Sequence, residues 1–156
     1  MAQKFKKPVA FTLPSSTEKV EKFINFIMRD GKKNVARKIF EDTLAEIKKN
    51  GHVNPLAVWE AAVENASPQV MVKSKRIGGA VYQVPVEVPN KKRFFYAAKW
   101  ILDFVKGKKG GTMTMKLAEE LLAAYSNQGN AVKKKEDTHK MAEANKAFAY
   151  LAKYIK

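Results

Sequence analysis

Residues 70–88, VMVKSKRIGGAVYQVPVEV, decide how this chain folds, because they predict a cationic β-hairpin among segments that otherwise predict helices. Gly78 and Gly79 suit a two-residue turn that needs positive φ at both positions, and β-branched residues are frequent in the flanking runs. The turn sets a register that pairs Ile77 with Ala80, Arg76 with Val81, Lys75 with Tyr82 and Lys73 with Val84.

This register predicts a ribbon without a clean apolar face. Lys73 and Lys75 share one face with Tyr82, Val84 and Val86, so we expect the ribbon to bury poorly within the protein and to protrude. Two strands alone are only marginally stable in water. We therefore expect a partner to order the ribbon, and its Lys and Arg content favours a polyanion.

The remainder of the chain predicts a mainly α fold, a six-helix bundle with the hairpin between the third and fourth helices. Residues 1–14 predict an extended basic arm, and residues 15–156 a single helical domain with the hairpin at about 70–88. Helix starts are indicated by Thr17, by Asn54 with Pro55, by Asn90, by Thr112 and by the region of Ala131.

Two apolar stripes give specific expectations about burial. In the second helix, about residues 34–49, helical spacing places Val35, Ile39, Phe40, Leu44 and Ile47 inward. The last helix is expected to continue through Asn145, Phe148 and Ala152 to Ile155.

Composition favours nucleic acid as the partner. The formal net charge is +15 over 156 residues, from 30 basic and 15 acidic residues. A hydrophobic content of 46% is too high for a disordered basic tail. No apolar run approaches the roughly 18 residues of a membrane-spanning helix, so we expect no membrane partner. The absence of cysteine suits a reducing compartment, and we expect a cytoplasmic protein.

Positive charge gathers in six separate patches at helix ends and in loops. Dispersed patches suit a folded RNA that surrounds the protein, whereas a protein that docks in one duplex groove would gather its charge on one face. Only four of the 30 cations are Arg, so point contacts to phosphate should outnumber bidentate contacts to bases. The patches comprise Lys4, Lys6 and Lys7; Lys32, Lys33, Arg37 and Lys38; Lys73, Lys75 and Arg76; Lys91, Lys92 and Arg93; Lys106, Lys108 and Lys109; and Lys133, Lys134 and Lys135.

Catalytic chemistry is not indicated. His52 and His139 stand apart from any carboxylate pair or nucleophile motif, and no cofactor or metal motif occurs. We therefore expect no enzyme, no catalytic residue, no metal site and no cofactor. Tyr82 and Phe5 are candidates for stacking on bases, and core packing remains equally open for both.

Three segments resemble the bacterial-type small-subunit ribosomal protein seven family: SKRIGGAVYQVPVEV, FINFIMRDGKKNVARKIF and NAVKKKEDTHKMAEANKAFA. The resemblance runs from about Val20 to Ala149. It implies a non-enzymatic protein of the small ribosomal subunit, in the cytoplasm or in an organelle. It also implies primary binding of the 16S rRNA, nucleation of head assembly, and contacts to small-subunit proteins nine and eleven.

The resemblance further implies that the hairpin reaches towards the exit-site tRNA and the mRNA path. A free-standing nucleic-acid-binding architectural or regulatory protein stays open as the alternative. The tip carried over comprises Arg76, Ile77, Gly78, Gly79 and Ala80, with Tyr82 beside it. The rRNA-binding candidates are Lys4, Lys6, Lys7, Lys32, Lys33, Arg37, Lys73, Lys75, Arg76, Lys91, Lys92, Arg93, Lys108, Lys109, Lys133, Lys134 and Lys135.

Overall fold

The computed structural model of the protein describes residues 16–155. The predicted N-terminal arm, with Lys4, Phe5, Lys6 and Lys7, lies outside these residues. The described elements are α1 (Glu18–Ile27), α2 (Lys33–Lys49), α3 (Pro55–Ala66), β1 (Val70–Ile77), β2 (Ala80–Glu87), α4 (Asn90–Gly107), α5 (Met113–Tyr125), α6 (Asn130–Ala144) and a C-terminal 3₁₀ helix (Lys146–Tyr154).

The mainly helical fold with a hairpin between α3 and α4 is confirmed. Local chemistry explains several helix starts. The side chains of Thr17, Asn54 and Thr112 accept hydrogen bonds from backbone N–H groups in the first turns of α1, α3 and α5. These bonds satisfy donors that a helix N-terminus otherwise leaves free.

The last element differs from the prediction. One continuous helix through Ile155 is wrong, because α6 ends at Ala144 and a separate 3₁₀ helix follows, giving seven helical segments within residues 16–155. At the break, the Asn145 side-chain amide donates to the Met141 carbonyl at 2.8 Å. The chain then turns back, and its 3₁₀ helix packs against β2.

A single apolar core joins the helices, and α5 packs against α2, α3, α4 and α6. The Trp59 ring lies at its centre, with centroids 5.4 Å from Phe23 and 5.7 Å from Phe40. Trp59 is 1% exposed. These three aromatic side chains therefore pack in the core, as the helical spacing predicts for Phe40.

The inward face of α2 is rotated from the predicted one. Its buried residues are Ala36, Phe40, Thr43 and Ile47, whereas Val35 is 56% exposed and its predicted burial is wrong. The face repeats at helical spacing through Thr43, whose hydroxyl donates to the Ile39 carbonyl at 2.7 Å. A hydroxyl that donates to a backbone carbonyl can be buried at low cost, so Thr43 can belong to the buried face of α2.

Candidate nucleic-acid interface

The hairpin has the predicted turn and register. Gly78 and Gly79 have φ values of 57° and 90°, as a two-residue hairpin turn of this type requires. All the predicted cross-strand pairs are observed: Ile77 with Ala80, Arg76 with Val81, Lys75 with Tyr82, and Lys73 with Val84.

The base of the hairpin is ordered by the protein itself. β1 packs against α6 and β2 against the 3₁₀ helix, and Val84 is completely buried. The Tyr82 ring meets the Phe148 ring edge-to-face, with centroids 5.4 Å apart. The expectation that the whole ribbon depends on a polyanion for its order is therefore wrong for this half of it.

A histidine supports the same region. His139, in α6, accepts a hydrogen bond at Nε2 from the backbone N–H of Gln69, at 3.1 Å. Burial, with a smaller effect from the Lys135 charge, lowers the pKa of His139. The neutral imidazole that this bond requires is thus the favoured form.

The distal half of the hairpin protrudes as predicted. From Lys73 to Val81 only Ile77 is half-buried, and the other residues are exposed. Lys75 and Arg76 therefore present their charges at the end of a finger whose base is anchored. Tyr82 lies at the boundary between the two halves, with its ring in contact with the Phe148 ring.

Two cations of the second patch are engaged within the protein. Glu21 is buried, and its carboxylate accepts from Arg37 Nη2 at 3.0 and 3.2 Å and lies 2.8 Å from Lys33 Nζ. The bond from Lys33, followed by those from Arg37, holds the pKa of Glu21 below its usual value despite the opposing effect of burial. Part of this patch therefore ties α1 to α2.

Lys32 of the second patch lies near Lys106 of the fifth patch, whereas Lys38 is exposed elsewhere on α2. Lys32 lines a groove of about 350 Å³ together with Lys106, although the two residues are far apart in sequence. Arg29 and Lys116 line the same groove. Neighbouring Lys108 forms an ion pair with Glu119, whereas Lys109 is exposed.

The third and fourth patches also converge. Lys73 of the hairpin and Lys92 of α4 line one concave surface together with Tyr96 and one acidic residue, Glu87. Lys91 is exposed nearby. Arg93 instead donates through Nε to the Val88 carbonyl at 3.1 Å, which ties the start of α4 to the end of the hairpin.

The sixth patch lies at the start of α6. Lys133, Lys134 and Lys135 lie in the first turns of α6, where Lys133 lines a shallow surface that also contains the carboxylates of Glu136 and Asp137. Lys133 and Lys134 are exposed and Lys135 is half-buried. This patch is therefore partly neutralised by its own helix.

Sequence reasoning missed three residues of these surfaces, namely Arg29, Lys116 and Tyr96. Each stands apart from a run of basic residues and joins a cationic surface only through the packing of helices. The helical placement of Lys116 and Tyr96 could be predicted, but the packing of one helix end beside another, and of Arg29 in the α1–α2 loop beside α4 and α5, could not.

Residues 16–155 contain no group of three or more His, Asp or Glu side chains placed to hold a metal ion. Within the same part of the chain, none of the helices combines the length and apolar character needed to cross a membrane.

A helical body with an anchored cationic finger and cation-lined concave surfaces is typical of proteins that bind folded RNA. Residues 2–146 match the family model described as ribosomal protein S7p/S5e. The chain belongs to this family of small-subunit ribosomal proteins, which are structural proteins and not enzymes.

Curated relatives agree over most of the chain. The small ribosomal subunit protein uS7 of Alkalilimnicola ehrlichii is 51% identical over 134 residues, covering 86% of this chain and 86% of the relative. The protein of that name from Thermotoga maritima is 50% identical over 131 residues, covering 84% of each chain. That of Desulfatibacillum aliphaticivorans is 46% identical over 153 residues, covering 96% of this chain and 98% of the relative.

Proposed function

We propose that this chain is a primary binding protein of the 16S rRNA and nucleates assembly of the head of the small subunit. The observation that carries the proposal is the convergence of distant cations on shared surfaces. Lys32 and Lys106 line one groove, and Lys73 and Lys92 line one concave surface, although each pair is distant in sequence. Phosphates of a folded RNA can reach such surfaces from several sides.

The hairpin supplies a second contact. Its anchored base holds Lys75 and Arg76 at a fixed distance from the body, so their charges are presented without the entropy cost of ordering a free ribbon. In this proposal the tip, residues 76–80, reaches towards the exit-site tRNA and the mRNA path. Small-subunit proteins nine and eleven are the neighbouring proteins.

Not every predicted cation contributes equally to RNA binding in this proposal. Lys33 and Arg37 already neutralise Glu21, and Arg93 supports the hairpin exit, so these three position the surface. Lys32, Lys73, Lys75, Arg76 and Lys92 have no such internal role among the described contacts and are the strongest candidates for phosphate contacts. Four further lysines are exposed and add to the positive electrostatic potential of the protein surface: Lys91, Lys109, Lys133 and Lys134.

The test compares two charge reversals of equal size. In one variant Lys75 and Arg76 are both replaced by Glu, and in the control Lys48 and Lys49, exposed at the far end of α2, are both replaced by Glu. We expect the first variant to bind a head-domain fragment of 16S rRNA more weakly than the control, with helical circular dichroism unchanged in both. Equal losses of RNA affinity in the two variants would show that only the net charge of the protein matters. The proposed contact of Lys75 and Arg76 with the RNA would then be wrong.

A second assay separates the ribosomal protein from a free-standing nucleic-acid-binding protein. The wild-type chain should co-sediment with small subunits at unit stoichiometry and should prefer the folded rRNA fragment to duplex DNA of equal length. Equal affinity for both nucleic acids would favour the free-standing alternative.

A further inference from the structure

The groove between the ends of four helices combines apolar and cationic chemistry. It lies where the C-terminal ends of α1 and α4 approach the N-terminal turns of α2 and α5. Its apolar part includes Ile27, Val35, Ile39 and Met113, and its volume is about 350 Å³. Val35 contributes an exposed apolar side chain, because its position lies beside the inward face of α2 and not on it.

The charge of the groove has one sign. Arg29 and Lys32 come from the α1–α2 side, and Lys106 and Lys116 from α4 and α5. Among residues 16–155, no acidic residue lines the groove. Lys116 Nζ is held by the Lys108 carbonyl at 2.7 Å, which fixes the direction of that side chain while leaving its other protons free to donate.

The apolar part of the groove forms its floor, and Arg29 with Lys32 and Lys106 with Lys116 form two pairs of cations. This combination matches the chemistry of a single nucleotide. A base has an apolar face that can lie on aliphatic and thioether side chains, while the phosphates on its 5′ and 3′ sides carry negative charge. Proteins that recognise RNA by sequence select unpaired bases that can leave the stack in this way. An acidic peptide would supply the charge, but its backbone N–H and C=O groups would also need partners over an apolar floor.

We propose that this groove receives one unpaired nucleotide of the bound RNA, with its base on the apolar floor and its flanking phosphates on the two pairs of cations. The proposal rests on the proposed function, since it names a contact within the same RNA complex. The base contact adds selectivity for an unpaired position, which the phosphate contacts alone do not provide.

The test fills the groove without changing its charge. Val35→Trp places a large side chain at the exposed rim, and Val53→Trp makes the same change at a loop position that is 93% exposed and does not line the groove. Binding of the 16S rRNA head-domain fragment is measured for wild type and both variants. Chemical probes of base edges and a probe of backbone cleavage then map each complex.

We expect Val35→Trp to weaken binding by about tenfold, the lower end of what loss of one base–aromatic stack costs, because the groove offers a base aliphatic and thioether side chains instead of a ring. It should also restore the reactivity of one unpaired base that the wild-type protein protects, while Val53→Trp changes neither. Circular dichroism melting of Val35→Trp checks that the fold is retained.

Three outcomes would overturn the proposal. Wild-type affinity with unchanged base reactivity would show that the groove is empty in the complex. Loss of backbone protection without any change at a base would show that the groove holds phosphate only. Normal RNA binding with failed entry into small subunits would show that a protein segment occupies it. Failure of the wild-type chain to bind the fragment would instead contradict the proposed function itself.

Discussion

Replacement of Glu21 by Gln should destabilise the fold, because it removes the counter-ion of both Lys33 and Arg37. The carboxylate is buried, and it neutralises Lys33 and Arg37, whose side chains are only 30% and 22% exposed. Gln keeps the size of the side chain but removes the charge, and two partly buried cations are left without their counter-ion. Breaking a buried pair costs about 3 to 5 kcal/mol, and partial exposure of the cations places the expected loss near the lower value, about 3 kcal/mol.

For a chain of this length, that loss corresponds to a fall in Tm of about 6 to 12 °C. Thermal and urea unfolding at pH 7 measure it directly. Glu18→Gln is the matched control, since Glu18 pairs with Lys22 in solvent, and we expect its Tm to stay close to that of wild type. A Glu21→Gln variant as stable as the control would refute the view that this pair ties α1 to α2.

The interaction of Glu21 with Lys33 and Arg37 also makes the stability of the fold depend on pH. The pKa of Glu21 is lowered in the folded protein, so its contribution to stability is present above the ordinary carboxyl pKa of 4.5. The contribution is lost as the pH falls through the lower folded-state pKa. The stability difference between wild type and Glu21→Gln should therefore shrink over that window.

Three more perturbations probe other parts of the structure. Trp59→Ala should lower the free energy of unfolding by about 3 to 5 kcal/mol because it empties the centre of the core, and Trp59→Phe should cost clearly less; equal losses in urea unfolding would contradict the cavity explanation. Phe148→Ala should speed amide hydrogen exchange in β2 while leaving α3 unchanged, since it removes the ring that contacts Tyr82; unchanged exchange in β2 would show that the 3₁₀ helix does not anchor the hairpin. Since the pKa of His139 is lowered, folding stability should fall as the pH drops from about 6.5 through the folded-state value. His139→Leu should remove that dependence in thermal unfolding between pH 5 and pH 7, and a retained dependence would assign it to another group.

Features fixed by neighbouring residues could be predicted from the sequence. The Gly78-Gly79 turn sets the hairpin register, and Asn54 and Thr112 cap helices, because each effect acts within a few residues. The break at Asn145 was missed because the apolar spacing continues through Phe148 and Ala152. Packing of the last segment against β2 then outweighs the local pattern.

The cations of the site could largely be predicted from the sequence, but their positions relative to one another could not. Lys33 and Arg37 look like surface cations in the sequence, and only the crossing of α1 and α2 brings them to Glu21. The groove likewise needs four helix ends to meet before Arg29 and Lys116 can join it. Such contacts depend on tertiary packing, for which residue spacing carries little information.

The most direct test of the RNA-binding surface is a salt titration of the affinity for the 16S rRNA head-domain fragment. Each phosphate contact contributes about −0.7 to −0.9 to the slope of log K against log salt, so about five simultaneous contacts predict a slope between about −3.5 and −4.5. A slope near −1, or no binding at low ionic strength, would contradict the claim that several separate cationic surfaces of this chain hold one folded RNA.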